Sequence, residues 1–224
     1  KKTLPLVKDL KSIGLIASVQ HLHQLPKVKT ALENAGKKVT IPIKKGHAFY
    51  DGQVLGCEYN ALKIVSKNLD GFLILGNKFH ALGAALAVPK KVVLLDPYNE
   101  EIIDMESLRN KIIKQRFAAI EKAKEAKVFG IIMGLKEGQQ FGAIEYAVEK
   151  LKKLGKQYII VTMNEITNDK LINLYNVDVF VEMACPRIAT EDVAKFDKPL
   201  LTARELAVVL GDLKWEDLLN RGFL

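Results

Sequence analysis

Cys57 and Cys185 are the only two cysteines of this 224-residue sequence, and no other side chains in it bind soft metals or attack carbon so well. A cysteine does either through its thiolate, which forms where positive charge or the start of a helix stabilises it. Gly or Pro stands beside each, in Gly52-Gln53-Val54-Leu55-Gly56-Cys57 and in Ala184-Cys185-Pro186-Arg187-Ile188. Three readings stand together: small buried thiols, a disulfide, or two ligands of a shared metal group. Zinc sites draw on close ligand pairs such as CxxC or CxxH, and neither spacing occurs here. The histidines are His21, His23, His47 and His80. His21 and His23 flank Leu22 in a spacing that suits a metal or a solvated loop. His80 follows Gly76-Asn77-Lys78-Phe79, where it can serve a pocket or cap a helix. Gln139, Gln140 and Arg187 complete the set of polar groups placed next to Gly or Cys-Pro.

The elements that must position these residues are short apolar runs alternating with helical patterns, the mark of parallel strands buried on both faces. Strands are expected over 13–19, 38–43, 71–76 and 92–96, with helices over 26–35, 57–66 and 81–88 between them. A charge-rich helix over 105–127 follows, and then the pattern restarts. Strands are expected over 128–133, 158–162, 177–182 and 199–203, with helices ending near Leu154 and covering 168–175. The two first strands are 128 − 13 = 115 residues apart, an internal repeat at domain scale. The expected fold is therefore α/β: two tandem domains, 1–104 and 105–224, each a four-stranded parallel sheet flanked by helices. Ligands of such sheets sit beyond the C-terminal strand ends. Both cysteines, His80, Asp96-Pro97-Tyr98 and the 134–142 loop all fall there. Cys57 is further expected to open its helix, so that the helix dipole favours thiolate.

Hydrophobic residues make up 49% of the chain, enough for packed cores. No apolar run approaches the roughly 18 residues of a membrane span. Lys and Arg exceed Asp and Glu by 34 − 26 = 8, yet the lysines are scattered among glutamates without a basic tract. Direct nucleic-acid binding is not expected from that pattern. Two cysteines make no disulfide framework, so a reducing, cytoplasmic setting is expected. The start at Lys1, without Met and just before a strand-like run, suggests a cut within a longer protein.

The segments Gly52–Cys57 and Ala184–Ile188, the loops at His80 and Asp96-Pro97-Tyr98, and Gly138-Gln139-Gln140 resemble archaeal diphthamide synthases. These are 3-amino-3-carboxypropyl transferases, non-canonical radical S-adenosylmethionine enzymes of the first step of diphthamide biosynthesis. The resemblance covers essentially the whole chain. It implies three similar α/β domains around a pseudo-threefold centre, each giving one cysteine to a 4Fe–4S cluster. This chain would hold the second and third domains, with Cys57 and Cys185 as metal ligands and the first domain missing. S-adenosylmethionine would be split at its sulfur–Cγ bond and the freed group carried to a histidine of translation elongation factor 2. Arg187 would clamp the methionyl carboxylate, with Gln139, Gln140 and His80 also binding the cofactor, in a homodimeric enzyme. Both thiols are expected to face one cavity, and this chain alone to fold without completing a cluster. A quinolinate-synthase-like iron–sulfur enzyme and a non-catalytic α/β binding or interaction module are the alternatives.

Overall fold

Apolar runs and punctuation resolve into two βα units in a computed structural model, which describes residues 3–136, 138 and 144–224. One compact unit comprises 1–110 with 220–222 and 224, the other 111–219 with 223.

The first unit is built on strands β1 (Ser12–Ala17), β2 (Lys38–Thr40), β3 (Gly71–Leu75), β4 (Lys91–Asp96) and β5 (Glu101–Asp104). Their spatial order is β2-β1-β3-β4-β5. The first four pair in parallel; β5 pairs antiparallel with β4, Val93 opposite Asp104 and Asp96 opposite Glu101. Helices α1 (Leu25–Glu33), α2 (Asn60–Val65) and α3 (Lys78–Ala87) connect the parallel strands. Ile13, Leu15, Leu73, Leu75 and Val93 form a core with Leu25 and Leu32 of α1. Full burial on both faces is why β1 and β3 read as unbroken apolar runs.

Helix α4 (Glu106–Lys124) leads into the second unit, whose strands β6 (Val128–Gly134), β7 (Gln157–Met163), β8 (Val179–Glu182) and β9 (Leu200–Thr202) are all parallel in the order β7-β6-β8-β9. Helices α5 (Ile144–Lys153), α6 (Asn168–Leu171), α7 (Pro186–Glu191), α8 (Ala203–Val209) and α9 (Trp215–Arg221) complete the chain. No helix among the described residues is long and apolar enough to cross a membrane.

The repeat extends to single contacts. Asp70 accepts the N–H groups of Lys11 and Ser12, each at 2.8 Å, and Asp178 accepts those of Lys127 and Val128 at 2.8 and 2.9 Å. Each carboxylate ties the turn before one strand to the start of its neighbour. Gly14 lies under the Phe72 ring as Gly130 lies under Phe180; a Cβ at either position would come within 2.4–2.5 Å of the ring. Close approach of an aromatic from the adjacent strand therefore requires glycine at both places.

Four expectations need correction. The first sheet has five strands, not four: Asp96 accepts the N–H groups of Tyr98 and Asn99 at 2.9 and 3.0 Å, turning the chain back so that Glu101-Ile102-Ile103-Asp104 runs antiparallel. Four half-buried residues with charges at both ends give no apolar run to read. β2 ends at Thr40, just before Ile41-Pro42, because Pro42 has no N–H to extend the ladder. Helix α2 begins at Asn60 rather than Cys57: Gly56 and Cys57 form a bend, and Glu58 Oε1 accepts the Asn60 N–H at 2.8 Å. The helix-dipole account of the Cys57 thiolate therefore fails. Conversely α3 starts at Lys78, three residues early, because Asn77 Oδ1 accepts the His80 N–H at 3.2 Å.

Candidate functional site

In the first unit the strand C-terminal ends gather Ser18, Gly52–Val54, Gly76 and Asp96. The 52–54 segment runs beside the end of β1: Ala17 donates to Gly52 O at 2.8 Å, and Val54 donates to Ala17 O at 3.0 Å. Gln53 Oε1 accepts the Phe49 and Tyr50 N–H groups, folding the glycine-rich loop onto this edge. Glu58, buried, reaches across the same loop and accepts the His47 N–H at 3.3 Å with its other oxygen. Gly46 is indispensable here. Its φ is +59°, and a Cβ would fall 1.9 Å from Glu58 Oε2.

Cys57 is half-buried between Gly56 and Glu58. The Phe79 ring packs against Gly56, where a Cβ would come within 2.6 Å of it, and Tyr59 Oη donates to His80 O at 3.2 Å. Structure thus brings His80 and the Cys57 loop together. His80 packs edge-on against Phe79, with ring centroids 5.3 Å apart, and its Nδ1 lies 2.9 Å from Asn77 Oδ1. It is at once a helix-capping partner and a neighbour of the cysteine loop. His21 occupies a 3₁₀ turn over Val19–Gln24 and acts electrostatically on Asp96. Burial works to raise the Asp96 pKa, but hydrogen bonds from Asn99 and Tyr98, aided by His21, keep it below the ordinary carboxylate range.

In the second unit β8 ends at Glu182, only 1% exposed, and the chain turns through Met183-Ala184 to Cys185. Glu182 Oε2 accepts the N–H of Ala184 at 3.1 Å and of Cys185 at 2.7 Å. Burial pushes this carboxyl up to about 8; the two N–H groups pull against it, and the neighbouring Glu205 adds to it. Cys185 is the N-cap of α7, with Pro186 opening the helix. Burial raises its thiol pKa, reinforced by Glu182, while the N–H groups of Arg187 and Ile188 favour thiolate. Arg187 is 4% exposed and pairs with Glu191 one turn along the helix. Behind the turn Arg116, with no exposed surface, donates to Ala189 O and Leu200 O and to both oxygens of Glu205. Glu205 also closes a capping box with Thr202 at the start of α8.

The family described as "Putative diphthamide synthesis protein" matches residues 1–219. The chain belongs to this family. It is 36% identical over 216 residues to the 2-(3-amino-3-carboxypropyl)histidine synthase of Pyrococcus horikoshii, covering 94% of this chain and 61% of that protein. It is 30% identical over 208 residues to 2-(3-amino-3-carboxypropyl)histidine synthase subunit 1 of Gallus gallus, covering 92% and 49%. The crystal structure of Dph2 from Pyrococcus horikoshii with a 4Fe–4S cluster superposes with a TM-score of 0.84 and 32% identity, over 99% of this chain and 64% of that one. The chain thus spans about three-fifths of the archaeal relative and half of the avian one. Membership of this family sets aside the quinolinate-synthase-like alternative.

Of the residues singled out from sequence, Cys57 and His80 share the strand-end edge of the first unit. Cys185 and Arg187 share the β8–α7 turn of the second. Gln139 and Gln140 lie outside the described residues. The donor set suits an iron–sulfur cluster: each unit offers one half-buried thiol at a strand end, and thiolates are the usual ligands of such clusters. Sequence reading missed Glu58 and Glu182, the carboxylates that hold the two cysteine segments. A glutamate directly after Cys57, and one ending an apolar strand three residues before Cys185, were the available signals.

Proposed function

We propose that this chain is the part of a 2-(3-amino-3-carboxypropyl)histidine synthase that supplies Cys57 and Cys185 to a 4Fe–4S cluster, the third thiolate lying outside these 224 residues. The observation that carries the reading is the repeated placement of one cysteine per βα unit, each at a strand C-terminal end and beside a buried glutamate. Membership of the family and the cluster named for Dph2 of Pyrococcus horikoshii support it. When bound, such a cluster keeps one iron open to S-adenosylmethionine and supplies the electron that splits the sulfur–Cγ bond. Methylthioadenosine would leave as the neutral thioether. The 3-amino-3-carboxypropyl group would replace the hydrogen on a carbon of a histidine imidazole of translation elongation factor 2, with loss of a proton and return of the electron.

This chain's residues have the following tasks. Cys57 and Cys185 give up their protons on ligation, and the α7 N–H groups facing the Cys185 sulfur lower that cost. Arg187, beside the Cys185 turn, clamps the methionyl carboxylate, whose two oxygens match the planar fork of a guanidinium. Gln139, Gln140 and His80 add hydrogen bonds to the same ligand. The whole enzyme works as a homodimer in the reducing cytoplasm, where thiols stay available for iron.

The test is transfer of label from S-adenosylmethionine, labelled in the aminocarboxypropyl group, to elongation factor 2 by the full-length, anaerobically reconstituted protein. Label on one histidine of the factor supports the proposal. A colourless protein that transfers nothing returns the chain to the non-catalytic reading. Within that assay Arg187→Ala weakens S-adenosylmethionine binding and leaves iron content intact; iron loss or unchanged affinity rejects the clamp.

A further inference from the structure

A buried carboxyl is expensive unless its oxygens are used, and Glu182, 1% exposed, takes part in none of the ion pairs among the described residues. Its partners are two successive backbone N–H groups, those of Ala184 and Cys185, converging on one oxygen at 3.1 and 2.7 Å. The strand ladder does not call for this. β8 is already paired on both sides, with Ile132 opposite Glu182 on β6 and Thr202 opposite it on β9. What the two bonds fix is the backbone of the turn, and with it the extended φ of −135° and ψ of 112° from which the Cys185 side chain departs.

Asp178 offers an internal comparison. It likewise accepts two successive N–H groups, but at the opposite end of the sheet and at an exposed position, where it serves strand registry. The same device appears a second time in this unit, in a buried position beside the only thiol there. Next to it stands the Arg116–Glu205 pair, with no exposed surface on either side chain, so the turn's surroundings cannot readily shift.

The geometry points to Glu182 as a positioning residue: its side chain acts through the Ala184 and Cys185 N–H groups to hold the Cys185 sulfur in one orientation for ligation. The hold on the backbone is a property of this chain alone; ligation itself rests on the function proposed above.

The experiment uses the full-length protein in two states. In the cluster-free state, amide hydrogen exchange is followed at Ala184 and Cys185 in the wild type and in Glu182→Gln, Glu182→Asp and Glu182→Ala. Gln keeps an oxygen at the same reach without an ionisable group, Asp keeps the carboxyl and withdraws its oxygens, and Ala removes both. Exchange at these two amides rises about tenfold in Asp and Ala and stays within about twofold of wild type in Gln, as expected when a buried N–H loses its acceptor. Asp178→Ala, a control for general loosening, speeds exchange at Lys127 and Val128 and leaves Ala184 and Cys185 unchanged. If the Ala variant fails to fold, the Gln–Asp pair still decides. In the reconstituted state, Gln retains wild-type iron content and the electron paramagnetic resonance signal of the reduced cluster; Asp shifts that signal or loses iron.

Equal exchange in Gln and Asp overturns the positioning role, and so does an Asp variant with a wild-type signal and iron content. A wild-type protein that binds no cluster while the exchange pattern holds overturns the functional reading and leaves the backbone hold standing.

Discussion

Cys57 and Cys185 both follow a parallel strand and both have a buried glutamate at hand, yet the two segments are secured over different chain distances. Glu182 binds N–H groups two and three residues ahead, so the Cys185 turn is a local object, backed by the fully buried Arg116–Glu205 pair. Glu58 binds Asn60 two residues ahead but also His47 eleven residues back, and Gln53 and Phe79 complete the clasp. The Cys57 loop therefore depends on several weak ties across a glycine-rich excursion, and the Cys185 turn on a few strong ones. The two cysteine segments thus differ in kind: one is ordered by its own turn, the other by contacts distributed over a long loop.

The largest expected effect falls behind the local turn. Arg116→Met leaves Glu205 buried without its cation and should lower the stability of the second unit by about 3–5 kcal/mol, read from denaturant midpoints. An unchanged midpoint would mean that the Cys185 turn owes nothing to that pair. On the Cys57 side, Gly46→Ala drives a Cβ toward Glu58 from a backbone of positive φ, for a cost of about 1–3 kcal/mol. Alkylation of Cys57 should then quicken while that of Cys185 does not; equal quickening at both would erase the distinction between them. Tyr59→Phe removes the Oη–His80 O bond and should cost about 1 kcal/mol, visible as faster exchange in the first turn of α3.

The smallest effect concerns the strand-start carboxylates. The N–H groups of Val128 and Lys127 hold the Asp178 pKa below its ordinary value. Its stabilisation is therefore complete above the unfolded value, about 3.9, and is lost as pH falls through the lowered folded value. Asp178→Asn should flatten that part of the acid-stability curve, measured by denaturation between pH 5 and pH 2, and leave the neutral range nearly untouched.

Legibility from sequence follows the same division. Strands buried on both faces, such as β1, β3, β6 and β8, announce themselves as apolar runs, and so the repeat could be read directly. The short helix α7 that Pro186 opens was not read, and the Cys185 turn was legible only as a strand end beside that proline. The Cys57 segment was not. Its helix start depends on Glu58, whose second oxygen is engaged by a residue eleven positions away, and no local pattern reports that. β5 was missed for a related reason: half-buried, charged at both ends, it exists because the Asp96 turn returns the chain to β4. The burial of Arg187 also escaped sequence reading, since an arginine two residues after a cysteine shows nothing of what covers it.

The central claim is that Cys57 and Cys185 ligate one cluster in the whole enzyme. Its most direct test is iron and sulfide content of the full-length protein after anaerobic reconstitution, in the wild type and in Cys57→Ser and Cys185→Ser. The account predicts about four irons per wild-type chain, the complement of a 4Fe–4S cluster, with either substitution alone abolishing the intact cluster and its absorption near 400 nm. A full complement of iron in either serine variant would contradict it.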